Sequence, residues 1–391
     1  MSDQALPAFD DNVATTEAAL LGTASAITGY TDFGDEAEYL PGLRRLIQAI
    51  ATEVPMTPMG RQFAFGVLLG PLMSRLYACE GCKRRPDCLT RPVKAPVIIL
   101  GLPRTGTTAL HHLLSLDPQF QAPEMWLIES PMPRPPRATW ANNPAHQRSV
   151  AGIEALLEAA PDFAVAHPRD ADLVDEGLDI VKACYVSNAW GTYFPVPSYD
   201  DWWPQQDHGP QYCYLRRVLQ LIAADDQRRW LLKDPTSIMH LPTLRATFPD
   251  ALLIVTHRDP AEVVPSVSSL VRSFQSLVMG DGLDVQRLAA RELEFWSRGA
   301  NLLAQAPDSG RRIDIHMRKF QANPMRTVRD VYDRLGLTLS VEAEQAMRSQ
   351  LTKAQTASTP PHRYTLEEFG LDAKRIHKKF FPYIERFNVL G

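Results

Sequence analysis

The chain has 391 residues, of which 45% are hydrophobic and 22% charged, and this composition excludes wholesale disorder. The formal net charge of −4 gives the molecule no general attraction for nucleic acid or acidic lipid, so an anionic ligand needs a local site. The polar, acidic N-terminus does not have the pattern of a secretion signal. No apolar run reaches the roughly 18–20 residues of a membrane span. These features predict a cytoplasmic protein without a transmembrane segment.

Residues 1–95 are predicted to form an N-terminal helical extension. Apolar residues recur at helical spacing over residues 40–50 and 61–77. Prolines at positions 55, 58, 71 and 86 interrupt this pattern. We find no catalytic motif in this part of the chain.

Three cysteines, Cys79, Cys82 and Cys88, cluster as C-x2-C-x5-C within this extension. Three thiolates lack the fourth ligand of a structural zinc site, and no nearby histidine supplies it. The pattern leaves open a metal site or a chance cluster on a loop, and we expect no metal. The odd total of five cysteines is typical of reduced thiols rather than of a disulfide framework.

The character of the chain changes at residue 96, where strand patterns begin to alternate with helical ones. Apolar strand patterns occupy residues 97–100, 230–232, 251–256 and 313–317. Helical patterns follow, notably over residues 263–274, 285–303 and 325–335. This alternation predicts an α/β domain over residues 96–391, with a parallel, doubly wound sheet and helices on both faces. Ligands of such sheets bind at the carboxyl ends of the strands.

An anion-binding loop is predicted at residues 101–108 (GLPRTGTT), between the first strand and a helix at 109–116. The loop fits the G-x4-G frame of a P-loop, whose backbone N–H groups and helix N-terminus bind anions. Thr107 replaces the lysine that would hold the β- and γ-phosphates of a nucleoside triphosphate, and Arg104 is the cation of the loop. A P-loop kinase or NTPase therefore stays as an alternative that the missing lysine disfavours.

The segment 103–108 (PRTGTT) resembles the 5′-phosphosulfate loop of sulfotransferases that use 3′-phosphoadenosine 5′-phosphosulfate (PAPS). The family pairs this loop with an arginine after a later strand and a serine eight residues on. Arg258 and Ser266 have this spacing. The resemblance implies a P-loop NTPase-like fold and a 3′-phosphate site at these two residues. It assigns the 5′ end of the nucleotide to the loop residues Arg104, Thr105, Gly106, Thr107 and Thr108.

Two further segments resemble the bacterial branch of this family. Residues 231–235 (LLKDP) and the region to 251 resemble the segment that joins the two phosphate elements. Residues 361–370 resemble the C-terminal segment that closes over the nucleotide, which makes Arg363, with His362, a candidate nucleotide contact. Residues 1–95 resemble the helical extension of that branch.

The resemblance implies transfer of a sulfonate group from PAPS to a hydroxyl or amine, with 3′,5′-adenosine bisphosphate (PAP) as the product. Arg104 is the candidate for neutralising the leaving 5′-phosphate, and Lys233 is the candidate for the sulfonate. No metal is required, because arginine and lysine supply the positive charge. A non-catalytic nucleotide-binding protein on the same scaffold is a further alternative.

The general base stays open among Glu124, His167 and Glu176. Many eukaryotic members of the family place a histidine two residues after the lysine, but Pro235 stands there. Other branches use a glutamate some twenty residues after the phosphate loop, which is about the spacing of Glu124. Residues 167–176 resemble a stretch typical of the bacterial branch, and a histidine has a pKa suited to base catalysis near neutrality.

The acidic residues after position 171 have an alternative interpretation as one face of an ordinary helix. Over residues 172–186, the acidic side chains share a face opposite apolar ones, as in an amphipathic helix with acids near its positive end.

The acceptor is predicted to be a small molecule. The stretch 185–203 holds six aromatic residues besides Tyr185 and is broken by prolines. It could line an apolar acceptor pocket or form part of the core. If the rings line a pocket, the acceptor is lipid-like or aromatic. The oligomeric state is left open.

Overall fold

The computed structural model describes residues 6–159, 169–356 and 365–391. The chain divides into two compact units. The first unit comprises Met1–Pro92, Pro123–Gln227 and Val271–Leu283, and the second comprises Val93–Ala122, Arg228–Leu270 and Asp284–Gly391. The division of the sequence into domains at residues 95 and 96 remains a proposal.

All five strands of the described chain belong to the second unit and form one parallel sheet. Their bounds are β1 (Val97–Gly101), β2 (Phe120–Gln121), β3 (Arg229–Lys233), β4 (Leu252–His257) and β5 (Arg312–His316). The four strands predicted from the sequence are confirmed to within two residues at each end, and β2 is a short strand that the apolar pattern did not reveal. The α/β fold with a P-loop-like parallel sheet is thereby confirmed.

The strand order β2-β3-β1-β4-β5 determines where a ligand can bind. The chain leaves β1 toward the β2 edge, whereas it leaves β4 toward the opposite edge. Because parallel crossovers are right-handed, connections that run in opposite directions lie on opposite faces. A crevice therefore opens beyond the carboxyl ends of β1 and β4, the position at which doubly wound sheets bind ligands.

The second unit contains helices that flank this sheet or follow it in the chain. Their bounds are Thr107–Leu114, Leu241–Thr247, Val285–Gln305, Met317–Ala322, Pro324–Leu335, Val341–Thr356, Ala373–Lys379 and Phe381–Phe387. The 3-10 turns of this unit are Pro235–Met239 and Glu367–Phe369. The helix Pro260–Met279 begins directly after the loop that ends β4.

Apart from one isolated β-bridge, the regular secondary structure of the first unit is helical over its described residues. Its helices are Val13–Thr28, Leu40–Glu53, Pro58–Arg84, Met125–Glu129, Pro144–Ala159, Gly177–Val181, Ala189–Tyr193, Pro197–Trp202 and Gly209–Ile222. Its 3-10 turns are Glu36–Glu38, Pro86–Thr90, Arg137–Asn142, Lys182–Cys184, Trp203–Gln205 and Gly280–Gly282. Pro71 lies inside the helix Pro58–Arg84 rather than interrupting it. Within the described part of the chain, no helix is both long and apolar enough to cross a membrane.

The alternative interpretation of residues 172–186 as one amphipathic helix is wrong. The chain before Glu176 is irregular, because Val174 forms an antiparallel bridge with Glu124. The backbone N–H of Met125 donates to the carbonyl of Leu173 at 2.9 Å. These tertiary backbone hydrogen bonds replace helical ones, so the α-helix covers only Gly177–Val181.

The aromatic stretch 185–203 contributes mainly to the core of the first unit. Trp190, Phe194 and Tyr199 have no exposed surface. Tyr185 stacks on Trp190 with ring centroids 5.1 Å apart, and the Tyr199 hydroxyl donates to the Tyr185 carbonyl at 2.7 Å. The core interpretation therefore holds for these rings, while Tyr193 lines a cavity of the same unit.

The three clustered cysteines are helical rather than part of a loop. Cys79 and Cys82 lie on the helix Pro58–Arg84, and Cys88 lies in the turn Pro86–Thr90. Cys88 is buried with Leu221, and Cys82 packs against it. Among the described residues, no group of three or more histidines, cysteines or carboxylates is arranged to hold a metal ion. Cys82 and Cys88 thus contribute to a small apolar cluster with Leu221.

Candidate active site

The loop between β1 and the helix Thr107–Leu114 requires two glycines for different reasons. Gly101 has a φ of 131°, and a Cβ atom there would lie 2.5 Å from the carbonyl oxygen of Thr256. Gly106 has a φ of 88° and caps the N-terminus of the helix. A Cβ atom on Gly106 would lie 2.4 Å from the sulfur of Met317. The two glycines let the loop turn closely over the sheet and expose helix N–H groups to an anion.

Thr105 anchors the middle of this loop. Its buried hydroxyl donates to the Leu102 carbonyl at 2.6 Å, and Thr256 Oγ1 on β4 lies 2.5 Å away. Thr107 is buried as well, whereas Thr108 is exposed. Arg104, at a φ of 63°, is a non-glycine residue in the left-handed region. Such a conformation persists only where surrounding contacts hold it, and it often marks a functional loop.

The residues predicted to bind the two phosphates lie together. Arg104 Nε donates to the hydroxyl of Ser266 at 3.1 Å, and Ser266 is buried on the helix Pro260–Met279. Arg258 Nη1 donates to the carbonyl of Arg104 at 2.9 Å. Arg258 also forms an ion pair with Glu262 at 2.7 Å. Two guanidinium groups and a hydroxyl therefore meet at the crevice between β1 and β4, where they can donate to an anion.

Lys233 ends β3 with a buried side chain, and its Nζ donates to Thr108 Oγ1 at 3.3 Å. This contact connects the lysine to the last residue of the anion loop. Burial, aided by the Lys233 charge, holds the pKa of His111 well below its ordinary value, so the neighbouring imidazole is neutral. Burial also raises the pKa of Asp234, which accepts from the Thr236 N–H at 2.9 Å.

A buried hydrogen-bonded group supports the end of β4 next to Arg258. His257 Nε2 lies 2.9 Å from Asp314 Oδ1, and its ring stacks on Phe387 at 4.3 Å. The Tyr383 hydroxyl lies 3.1 Å from His257 Nδ1. Burial lowers the pKa of His257, so the ring is a neutral, positioned element rather than an additional cation.

The candidate bases lie outside the second unit or outside the described residues. Glu124 belongs to the first unit, where its Oε2 accepts from Arg134 Nη2 at 3.0 Å and from Nε at 3.2 Å. Arg134 also donates to Asp226 at 3.1 Å. Glu176 is half-buried and precedes the helix Gly177–Val181 in the same unit. His167, His362 and Arg363 lie outside the described residues.

Some residues that organise this site were not found from the sequence. Thr256 lies two positions before Arg258 on β4, and its contact with Thr105 depends on the parallel pairing of β1 with β4. Glu262 follows Arg258 by four residues, a spacing at which oppositely charged side chains on a helix can pair. This ion pair could therefore have been predicted from the sequence. No spacing rule predicts the ion pair of Glu124 with Arg134, which lie ten residues apart.

The fold and loop geometry agree with comparisons to known proteins. A family model described as the sulfotransferase family matches residues 96–341. The chain therefore belongs to the sulfotransferase family, and the resemblance to that family drawn from its sequence is confirmed. Membership of this family makes the chain a sulfotransferase. Its fold is that of bacterial sulfotransferases.

Two solved structures resemble the whole chain. The sulfotransferase STF1 from Mycobacterium tuberculosis H37Rv is 34% identical, with a TM-score of 0.85 over 95% of this chain and 99% of that chain. The sulfotransferase STF9 from Mycobacterium avium is 27% identical, with a TM-score of 0.84 over 99% of both chains.

A curated relative is similar over a smaller part of the chain. Omega-hydroxy-beta-dihydromenaquinone-9 sulfotransferase Stf3 of Mycobacterium bovis (strain ATCC BAA-935 / AF2122/97) is 26% identical over 259 residues. The match covers 62% of this chain and 63% of that relative, which is less than two thirds of its length.

Proposed function

We propose that this protein transfers the sulfonate group of PAPS to the hydroxyl group of a small, largely apolar acceptor, and that PAP is released. The observation that carries this proposal is the meeting of Arg104, Ser266 and Arg258 beside the anion loop. A nucleotide with phosphates at both its 3′ and 5′ positions needs cationic donors for both. The loop does not supply the lysine with which kinases hold a triphosphate.

The proposed donor contacts divide by phosphate. The loop N–H groups and hydroxyls of Thr105, Gly106, Thr107 and Thr108 bind the 5′ end, and Arg104 stabilises negative charge on the leaving phosphate. Lys233 Nζ, which lies beside Thr108, binds the sulfonate oxygens. Arg258 and Ser266 bind the 3′-phosphate, and Arg363 adds a further contact. No step requires a metal, because these side chains supply the positive charge.

A general base takes the proton of the acceptor hydroxyl, and we propose Glu176 or His167 ahead of Glu124. One oxygen of Glu124 already accepts two hydrogen bonds from Arg134, so this carboxylate is committed to an ion pair. Glu176 is half-buried and directly precedes the short helix Gly177–Val181.

The acceptor is proposed to be lipid-like or aromatic. The mycobacterial relative Stf3 is named an omega-hydroxy-beta-dihydromenaquinone-9 sulfotransferase. The similarity of Stf3 to this chain supports a hydroxylated, lipid-like acceptor.

The direct test is thermal stabilisation by PAP compared with ADP, because a ligand that binds the native state raises its stability by mass action. We expect PAP to raise Tm by several degrees and ADP to have a much smaller effect. Equal stabilisation by ADP would remove the basis for the 3′-phosphate site. ATP hydrolysis dependent on Mg²⁺ would support a kinase or NTPase instead.

A further inference from the structure

The end of β4 is attached to the C-terminal helices of the same unit. The Tyr383 hydroxyl lies 3.1 Å from His257 Nδ1. Burial raises the pKa of Tyr383, and a hydrogen bond from the Arg258 backbone to its hydroxyl opposes this rise. His377 Nε2 lies 2.8 Å from Asp259 Oδ1. The C-terminal helices therefore hold three consecutive residues, and the middle one is the arginine proposed to bind the 3′-phosphate.

The hydrogen bonds behind Arg258 have one direction. Burial acts to raise the pKa of Asp314, but its contacts with His257 and Arg312 outweigh burial and lower this pKa. An ionised carboxylate only accepts, so His257 Nε2 carries a hydrogen and donates it to Asp314 Oδ1 at 2.9 Å. Because burial lowers the pKa of His257, the ring is neutral and Nδ1 accepts from the Tyr383 hydroxyl. The Tyr383 oxygen is then free to accept from the Arg258 backbone.

An apolar ring at position 383 would pack as well as the tyrosine does. The Tyr383 side chain has no exposed surface and lies against the rings of Phe380 and Phe387. Buried polar groups must all be hydrogen-bonded, and they add little stability over apolar groups of the same volume. A fully satisfied buried network instead fixes the orientation of the groups that it joins. The group at the end of this network is the backbone of Arg258.

The Arg258 side chain retains N–H groups for a ligand. Its Nε donates to Glu262 Oε2 at 2.8 Å, and its Nη2 lies 2.7 Å from the same oxygen. Its Nη1 donates to the Arg104 carbonyl at 2.9 Å. Since each Nη atom carries two hydrogens, these contacts leave at least one N–H on Nη1 and one on Nη2. Two N–H groups of one guanidinium form the fork that binds a phosphate, and the backbone position sets where that fork points.

We propose that Tyr383, with His257 and Asp314, positions Arg258 for a 3′-phosphate and thereby sets the preference for nucleotides phosphorylated at that position. This inference rests on the proposed sulfotransferase function. It assigns the selectivity for PAP over adenosine 5′-monophosphate (AMP) to residues that act through Arg258. The anion loop is held separately by Thr105 and its two glycines, so binding of a 5′-phosphate should not depend on Tyr383.

The test measures the Kd values of PAP and AMP by isothermal titration calorimetry for the native chain and for Tyr383→Phe. This substitution removes one oxygen atom and keeps the buried ring. We expect PAP binding to weaken at least about fivefold and AMP binding to change by less than about twofold, as for one lost hydrogen bond that acts on the 3′ site alone. An equal loss for both nucleotides would indicate a general loss of packing and would overturn the proposal, as would an unchanged ratio.

The matched control is Tyr332→Phe, which removes another buried tyrosine hydroxyl of the same unit. The Tyr332 hydroxyl donates to Asp117 Oδ2 at 2.5 Å, and its ring lies against Phe120 of β2, at the other edge of the sheet from β5. The control loses a comparable hydrogen bond away from Arg258, so the ratio of the two Kd values should stay as in the native chain. A fall in this ratio as large as that in Tyr383→Phe would contradict the proposal.

A second variant, His257→Phe, keeps a ring next to Phe387 but removes both nitrogens. Because His257 and Tyr383 act in one chain of hydrogen bonds, the double variant should lower the preference for PAP no further than the larger single effect. Single effects that multiply in the double variant would overturn the proposal. If the native chain does not prefer PAP over AMP, the 3′-phosphate site fails, and this inference fails with it. A native preference that Tyr383→Phe leaves intact would refute this inference alone.

Discussion

Arg104 Nε donates a hydrogen bond to the hydroxyl of Ser266 across 3.1 Å, although the two residues are 162 positions apart in the chain. Arg104 belongs to the anion loop after β1, and Ser266 belongs to the helix that follows β4. Parallel pairing of β1 with β4 places these two segments at the same edge of the sheet. The contact joins the elements proposed to bind opposite ends of the donor nucleotide.

Replacing Arg104 by Ala is expected to lower kcat by roughly 10²–10³-fold, since it removes a cation that stabilises the leaving phosphate. Ser266→Ala is expected mainly to weaken PAP binding by about tenfold, the effect of one hydrogen bond to a charged group. Sulfonate-transfer kinetics and calorimetric PAP titration measure the two effects. Arg348→Ala, which removes an exposed arginine of the second unit, is the control. A larger kcat effect for Ser266→Ala than for Arg104→Ala would contradict the assigned roles.

Lys233→Met is expected to reduce kcat by roughly 10²–10³-fold while leaving the Kd for PAP nearly unchanged. The physical reason is that PAP lacks the sulfonate group that Lys233 is proposed to hold. Methionine conserves most of the length of the buried side chain, so the fold should persist. Steady-state kinetics and PAP titration give the comparison, with Lys94→Met as an exposed control. An equal loss in both quantities would instead assign Lys233 to a phosphate.

The two glutamate candidates are expected to respond differently to removal of their charge. Glu176→Gln should lower kcat by roughly 10²–10⁴-fold with little change in stability, if Glu176 is the base. Glu124→Gln should destabilise the protein by about 2 kcal/mol, because it weakens a partly buried hydrogen-bonded pair with Arg134. Urea unfolding and pH–rate profiles distinguish the outcomes. Unchanged kcat in Glu176→Gln would leave His167 as the favoured base.

His208 is expected to make stability depend on pH. Burial lowers its pKa from 6.5 to about 4 in the folded state, so the unfolded chain binds more protons in this range. The contribution to stability is complete above pH 6.5 and is lost as the pH falls toward 4, up to roughly 3 kcal/mol. Urea unfolding at pH 7 and pH 4.5 measures it. His208→Leu should reduce this difference, and an unchanged difference would exclude His208 as its source.

Local sequence patterns predicted the strands and the anion loop well. The apolar run before Gly101 is buried along its whole length as β1, because a strand covered on both faces needs apolar residues at every position. The G-x4-G spacing correctly located the turn and the helix that begins at Thr107. Such features depend on residues adjacent in sequence, so their physical cause is present in the local pattern.

Local patterns failed where distant backbone segments compete for the same hydrogen bonds. The residues before Glu176 have helical periodicity, yet Val174 pairs with Glu124 instead, about fifty positions earlier in the chain. β2 has only two residues and gains its strand character from pairing with β3. The aromatic residues after Tyr185 had two interpretations, which burial of Trp190 and Phe194 resolved.

The sequence by itself determined the α/β class, the anion loop and the spacing of Arg258 from Ser266, because these follow from periodicity and from short motifs. The tertiary structure decided that Arg104 meets Ser266 and that Glu124 is held by Arg134. It also decided that Gly66 and Tyr193 line the same cavity of the first unit. These relationships arise from strand order and from packing between segments far apart in sequence, and no local pattern encodes the distance between two such side chains.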